Sequence, residues 1–499
     1  MMKHKQLITG LIVLVGLAGA FGLLTAMRTT AALTRTANIS PAFPQDADED
    51  DSAGTKSRLV IVKAKRVITV SGEELEDATI VIRDGKIEAV GTTVDVPFGG
   101  QVIDASDLTV IPGMINPTSQ AVNLPAGRGI APHVTLDSEF FTKAEDLEDI
   151  VSTGYTTLGI LPAGATLPGR TLVIKTAGGD GKDLIVTAEG PVKMTMNNPG
   201  TDKPAIERAF KSAQAEIDKQ SKAREEWEKK QKAKKPEPKP KPEPKPTPEP
   251  KPEPKPEPKP EPKPKALEDE KKDEKKAADG FQAPPINPAS VPIVELIQKE
   301  KDKSAIVEFG LNVPASWGVT ISAAGCYVHL EELLEEYDFA HSYRIYNPVV
   351  DRNSPFAVTP ETDVDLIVDR IGKRKAIVAL WPLVNHHAYT RDRYNLGLML
   401  HRAGAQVVFF PERDQLADYA MMRQSLAQMV RAGFPRDEAL KTVTLNPARM
   451  LGLDARLGSI EAGRDANLVF LTGDPLAFDS QVVKVMVEGR LVPVKKRIH

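Results

Sequence analysis

A single cysteine, Cys326, stands among 499 residues, which excludes an internal disulfide and any zinc site built from several thiolates. The thiol sits in AAGCYVHLEELLEEY (323–337), a helix-like stretch in which it reads as a small buried apolar residue. Aromatic residues make up only 5% of the chain, and no basic patch is interleaved with them, so the usual surface of a nucleic-acid binder is missing. An excess of one charge is missing too: 65 basic against 68 acidic residues leave a net charge of −3. Histidine is sparse. Of eight, His4 and His499 are terminal, His133 falls in a loop, His329 and His341 flank a helical pattern and His401 ends another. His386 and His387 follow the strand-like run AIVALWPLV (376–384), where neighbouring side chains diverge and at most one faces a common site. No pair of histidines has metal-ligand spacing.

One long uncharged run is present. LITGLIVLVGLAGAFGLLTAM (7–27) follows MMKHKQ and is long enough for a hydrocarbon layer of about 30 Å. Small residues at Thr30, Ala31 and Ala32 also suit a cleavage site, so 1–28 reads as a membrane anchor or a secretory signal. Lys3 and Lys5 ahead of it place the N-terminus inside and the body outside. The acidic, unpatterned stretch 29–57 reads as a solvated tether. These features lead us to expect an exported protein of the cell envelope, membrane-anchored through 7–27 or periplasmic.

Proline is concentrated in one place. Every even position from 236 to 264 is proline, fifteen in all, alternating with Lys, Glu and one Thr. Only polyproline II is open to such a chain, about 3.1 Å per residue and on the order of 90 Å over 235–265. The insert 230–280 reads either as an inert surface loop or as an arm that reaches an envelope partner.

Elsewhere, strand-like runs TTLGILP (156–162), IVEFGL (306–311), SYRIYNP (342–348) and AQVVFF (405–410) alternate with helical patterns, as a parallel βα fold requires. Residues 59–110 and 466–492 carry short Val/Ile-rich strands and turns such as Asp84-Gly85.

The segments LVIVKAKRVITVSGEELEDATIVIRDGKIEAVG (59–91), VIDASDLTVIPGMI (102–115), TLNPARMLGLDARLGSIEAGRDANLVFLTGDPL (444–476) and VVKVMVEGRLV (482–492) resemble the two ends of the amidohydrolase superfamily, its imidazolonepropionase-like branch most nearly. The resemblance implies an α/β fold: a (βα)8 TIM-like barrel over 111–454, and a small composite β-sandwich of 59–110 plus 455–495. It also implies a hydrolase of carbon–nitrogen bonds in a non-peptide amide or cyclic amide ligand, with zinc or another divalent metal as cofactor.

In that family two histidines at i and i+2 end the first barrel strand. Here IPGMINPTSQ (111–120) has Thr118 and Gln120 at those places, and Asn116 for the usual Asp. A hydroxyl and a neutral amide replace imidazole poorly, so no metal is expected and the site reads as degenerate. At the family's proton-handling Asp, VVFFPERDQLADYAMM (407–422) offers Glu412, with Asp414 two residues on; Asp414 and Asp418 also suit helix caps. Lys193, in GPVKMTMNNPG, resembles another family site position, with a loop lysine as the plainer alternative. The remaining candidates for catalysis are His386, His387 and Glu308, whose carboxylate would demand a partner inside a barrel. Two functions stand: an amide hydrolase with a degenerate metal site, or a non-catalytic envelope binding or scaffold protein using the barrel mouth and the polyproline arm.

Overall fold

The computed structural model describes residues 58–122, 124, 129–234, 281–309, 323–345, 363–386 and 393–495. The segment 7–27, the tether, the proline tract and His387 lie outside the described residues. Among the described residues no helix is long and apolar enough to cross a membrane.

Two distant parts of the chain share one sheet. Its seven strands run in the order Arg490–Val492, Val482–Val487, Leu468–Leu471, Gln101–Pro112, Leu59–Ile68, Glu74–Arg83, Lys86–Gly91. Gln101–Pro112, twelve residues long, joins the two parts by pairing on both sides. Its earlier residues run parallel to Leu59–Ile68, with Gln101 opposite Val60, and its last ones antiparallel to Leu468–Leu471, with Val110 opposite Phe470. Alternate residues, among them Val60, Val62, Ile80, Ile82, Leu468 and Phe470, bury one apolar cluster. The hairpin between Glu74–Arg83 and Lys86–Gly91 turns at Asp84 and Gly85, both with positive φ, the geometry that Asp-Gly pairs adopt with least strain.

Among the described residues, seven parallel strands make up the βα part. Met114–Ser119 and Tyr155–Ile160 pair in one sheet; Val192–Thr195, Ala305–Phe309, His341–Ile345, Ile377–Leu380 and Gln406–Phe409 pair in another. Side chains sort by period two. Val307, Phe309, Tyr343, Ile345, Val378 and Phe409 pack with the helices, including Leu330 and Leu334 of Ala323–Tyr337, while Ile306, Ala379 and Val408 share an interior cluster with Ile115 of the first sheet. The two sheets therefore enclose one interior.

A closed ring of eight strands does not form among the described residues. The facing edges of the second and third parallel strands are occupied by antiparallel partners: Leu172–Lys175 pairs with Tyr155–Ile160, and Gly169–Arg170 with Val192–Thr195. A strand edge already paired cannot join a further ladder, and the ring stays open there.

The charged helix Pro199–Lys234 leads to the proline tract, and the chain returns against the same helix. The Trp227 and Phe281 ring centroids are 5.7 Å apart, and Gln220 Nε2 donates to the Pro284 carbonyl at 3.0 Å. Cys326 is buried in the helix Ala323–Tyr337.

Candidate functional site

The strand register stacks the interior into layers. In the lower layer Lys193 lies beside Ile306, then Ser342, Ile377 and Gln406; two residues on, toward the C-terminal ends, Thr195 lies beside Glu308, then Arg344, Ala379 and Val408. That end of parallel strands is where βα folds place their chemistry.

Glu308, Arg344 and Lys193 are 3%, 5% and 5% exposed, and they form one ion cluster. Lys193 Nζ is 3.0 Å from Glu308 Oε2 and donates to the Pro162 carbonyl at 3.0 Å; Arg344 Nη1 donates to Glu308 Oε1. Burial alone pushes the Glu308 carboxyl up, but Arg344 and Lys193 beside it outweigh burial and hold it below the usual carboxylate range. The Arg344 guanidinium lies 5.1 Å from the Phe410 ring centre, and Phe410 stands 6.4 Å from Trp381. Lys193 is thus a buried strand residue and not a loop lysine. Glu308 does face the interior, with the partners that a buried carboxylate needs.

Arg344 and Thr195 were not singled out in the sequence. An arginine at the centre of SYRIY, a strand with buried neighbours, was the available signal, since such a residue is rarely buried unpaired.

The first strand's end holds a second polar cluster. Asn116 and Thr118 are buried, whereas Gln120 is exposed. Asp414 adopts φ +57°, which turns its carboxylate back toward that strand. It accepts hydrogen bonds from Asn116 Nδ2 (3.1 Å), Ser119 Oγ (2.9 Å), the Gln120 backbone N–H and the Tyr419 hydroxyl. Asn116 Nδ2 also reaches the Tyr419 oxygen at 2.9 Å, and Asn116 Oδ1 accepts from the Thr118 backbone at 3.1 Å. Burial first, and then Asp414, pushes the Tyr419 phenol well above its ordinary value, so it stays protonated and donating. Thr118 Oγ1 is buried without a hydrogen-bond partner among the described residues.

Asp414 therefore does not cap the following helix, Leu416–Arg431. That role falls to Asp418, whose Oδ2 accepts from the Arg413 and Gln415 backbones at 3.2 and 3.4 Å. Glu412 is half-buried; burial chiefly, with Asp418 adding and Arg413 opposing, raises its carboxyl above the usual range. His386 lies in the two-residue strand Asn385–His386, paired with Arg393–Tyr394. His341 is a satisfied core residue: its ring nitrogens meet the Phe339 carbonyl at 2.9 Å and the Tyr343 hydroxyl at 2.8 Å, and burial lowers its pKa.

Among the described residues no group of three His, Cys, Asp or Glu side chains is placed to hold a metal ion. The donor chemistry points the same way. Both Glu308 oxygens face cations, and Asn116 presents N–H donors to Asp414. Lysine, arginine and amide N–H groups repel a divalent ion, so these residues do not fit one. A cavity of about 440 Å³ lies elsewhere, at the N-terminal end of Gln406–Phe409, lined by His401, Glu438, Lys441 and Arg449 among others. None of the sequence-derived candidates lines it.

Parallel strands with intervening helices, joined to a sheet built from two distant parts of the chain, define an α/β protein. Residues 270–492 match the model of the amidohydrolase family. The amidohydrolase tasK of Hapsidospora irregularis is 33% identical over 93 residues, which are 19% of this chain and 9% of that protein. The crystal structure of an amidohydrolase from Thermotoga maritima MSB8 shares the fold, with a TM-score of 0.56 at 19% identity over 87% of this chain and 99% of that one.

Proposed function

We propose that this chain is an exported, amidohydrolase-fold binding protein, a pseudoenzyme in which an ion-paired floor stands in place of a hydrolytic metal centre. The observation that carries the reading is Glu308 held between Lys193 and Arg344. A carboxylate with both oxygens held by cations is a poor ligand for a metal ion, which those cations repel, and is too weak a base to activate water. At the first strand, Asp414 is spent on four donors, and the family's two imidazole positions hold Thr118 and Gln120. The uncharged segment 7–27 supports an envelope location, and the alternating Lys/Glu/Pro tract supports an arm toward a partner there.

One observation favours a second reading, a hydrolase of amide or cyclic-amide bonds like the imidazolonepropionase-like branch that the chain ends resemble. Glu412 has a raised proton affinity, as a general acid or base needs, two residues before Asp414.

Metal analysis of protein purified with zinc or manganese, combined with hydrolysis assays on cyclic imides and N-acyl amino acids, separates the two. Substoichiometric metal and no turnover are expected. One bound ion per chain, or turnover that is lost in Glu412→Gln, would overturn the binding-protein reading.

A further inference from the structure

We infer that the loop 94–100, with the start of the strand Gln101–Pro112, is a docking face for a lipid bilayer, on which Phe98 enters the boundary between headgroups and acyl chains. The inference rests on the envelope reading above and adds to it the surface by which the body meets the membrane.

Phe98 is fully exposed, more so than any other large apolar side chain among the described residues, and Val96 and Val102 beside it are 44% and 55% exposed. Phenylalanine is ordinarily buried. Single exposed apolar residues are common, but three within the seven residues 96–102 make a patch, and patches mark contact surfaces. The loop is also anchored to the sheet. Gly100 passes so close to the first strand that a Cβ there would lie 2.8 Å from Leu59 Cγ and 2.9 Å from Ile61 Cδ1, which pins the base of the loop against Leu59–Ile68.

The place where the chain enters the body names the occupant. Val60 lies beside Gln101 and Leu59 against Gly100, so the patch adjoins the point at which residues 1–57 join the sheet. Those residues carry the uncharged run 7–27, and the 29 residues of 29–57 span at most about 100 Å however they are arranged. A body held that close to a bilayer meets it at high effective concentration, so a contact too small to capture free protein is enough.

The charges nearby set the kind of contact. Arg58 and Arg83 stand against Asp84, Glu88 and Asp95; Arg83 Nε is 2.9 Å from Glu88 Oε2, and the Asp84 carboxylate accepts from the Arg58 backbone N–H at 2.8 Å. No excess of positive charge draws anionic lipid, and the attraction is apolar. Side chains of this kind enter the boundary by about 5–10 Å.

The full chain reconstituted with phosphatidylcholine vesicles tests this through Phe98→Trp, with Phe478→Trp for comparison. Phe478 is 83% exposed but lies in the loop that Arg423 ties to a barrel helix through the Ser480 carbonyl. Against the three native tryptophans, the added emission at 98 is expected to shift to the blue and to be quenched by phosphatidylcholine brominated near the headgroup end of its chains. The quenching should persist in about 1 M salt, where charge attraction reaches only about 3 Å. Emission at 478 should be neither shifted nor quenched. Val96→Asp with Val102→Asp, both at exposed positions where folding tolerates change, should abolish quenching at 98.

No quenching at 98, including a blue shift without quenching as burial under a protein would give, overturns the docking face alone. So do equal quenching at 478, loss of quenching in salt, and quenching that survives the two aspartates. A chain that does not float with the vesicles overturns the anchored reading and the face together.

Discussion

Asn116 and Asp414 are 298 positions apart in the sequence, and Asn116 Nδ2 lies 3.1 Å from Asp414 Oδ1. The bond ties the end of the first parallel strand to the loop after the last one, across a seam that no backbone ladder closes among the described residues. Ser119, Tyr419 and the Gln120 backbone converge on the same carboxylate. Two residues beyond the place where the family resemblance implies proton transfer, this aspartate fastens two ends of the fold.

Asp414→Ala should therefore destabilise the protein by about 2–4 kcal/mol, because it strips a charged acceptor from several donors at once. Urea denaturation measures the loss. A change under about 0.5 kcal/mol, the range of an ordinary surface substitution, would show that the seam is held by something else.

Replacing Glu308 should reveal a pH-dependent term. Its folded-state pKa is lowered, so its contribution is full above the usual carboxylate range and is lost as the pH falls through the lowered value. Glu308→Gln should flatten the acid limb of the melting temperature against pH. At neutral pH it should cost about 3–5 kcal/mol, since Lys193 and Arg344 are left buried with their shared anion gone.

The triple replacement Lys193→Met, Glu308→Leu, Arg344→Met should recover most of that loss, because no charge remains to be desolvated. Thermal melts of the single and triple variants together decide the point. A triple variant as unstable as Glu308→Gln would mean that the cluster is needed for folding.

Gly113 in the IPGMI motif has no room for a methyl group. A Cβ there would lie 2.1 Å from Thr156 Oγ1 on the neighbouring strand. Gly113→Ala should cost about 1–3 kcal/mol by overpacking, and Thr156→Gly in the same chain should restore part of it. Equal stability of the two variants would argue that the clash is relieved by movement elsewhere.

Removal of 235–280 with a short Gly/Ser bridge should leave the melting temperature nearly unchanged. Phe281 and Pro284 already hold the returning chain against Trp227 and Gln220, and a doubling of loop length costs only about 0.6 kcal/mol. A large drop in a calorimetric scan would mean that the tract packs on the body.

What the sequence determined by itself is local or compositional. Alternation with period two marked the strands, Asp84-Gly85 marked a hairpin, and Thr118 and Gln120 stand where the family resemblance leads one to expect imidazoles. The need of Glu308 for a partner was legible too, because a strand carboxylate among apolar neighbours cannot stay alone. Which partner it has was not. Arg344 is 36 positions away and reaches Glu308 only through the lateral order and register of two parallel strands, and Lys193 joins them from a third. The turn of Asp414 toward Asn116, and the antiparallel pieces at 169–175 that hold the ring open, were equally hidden. Side-chain period fixes the face on which a residue lies, since it is a property of a single strand. Its neighbour across the sheet is fixed only when distant strands pack, because register is a property of the pair.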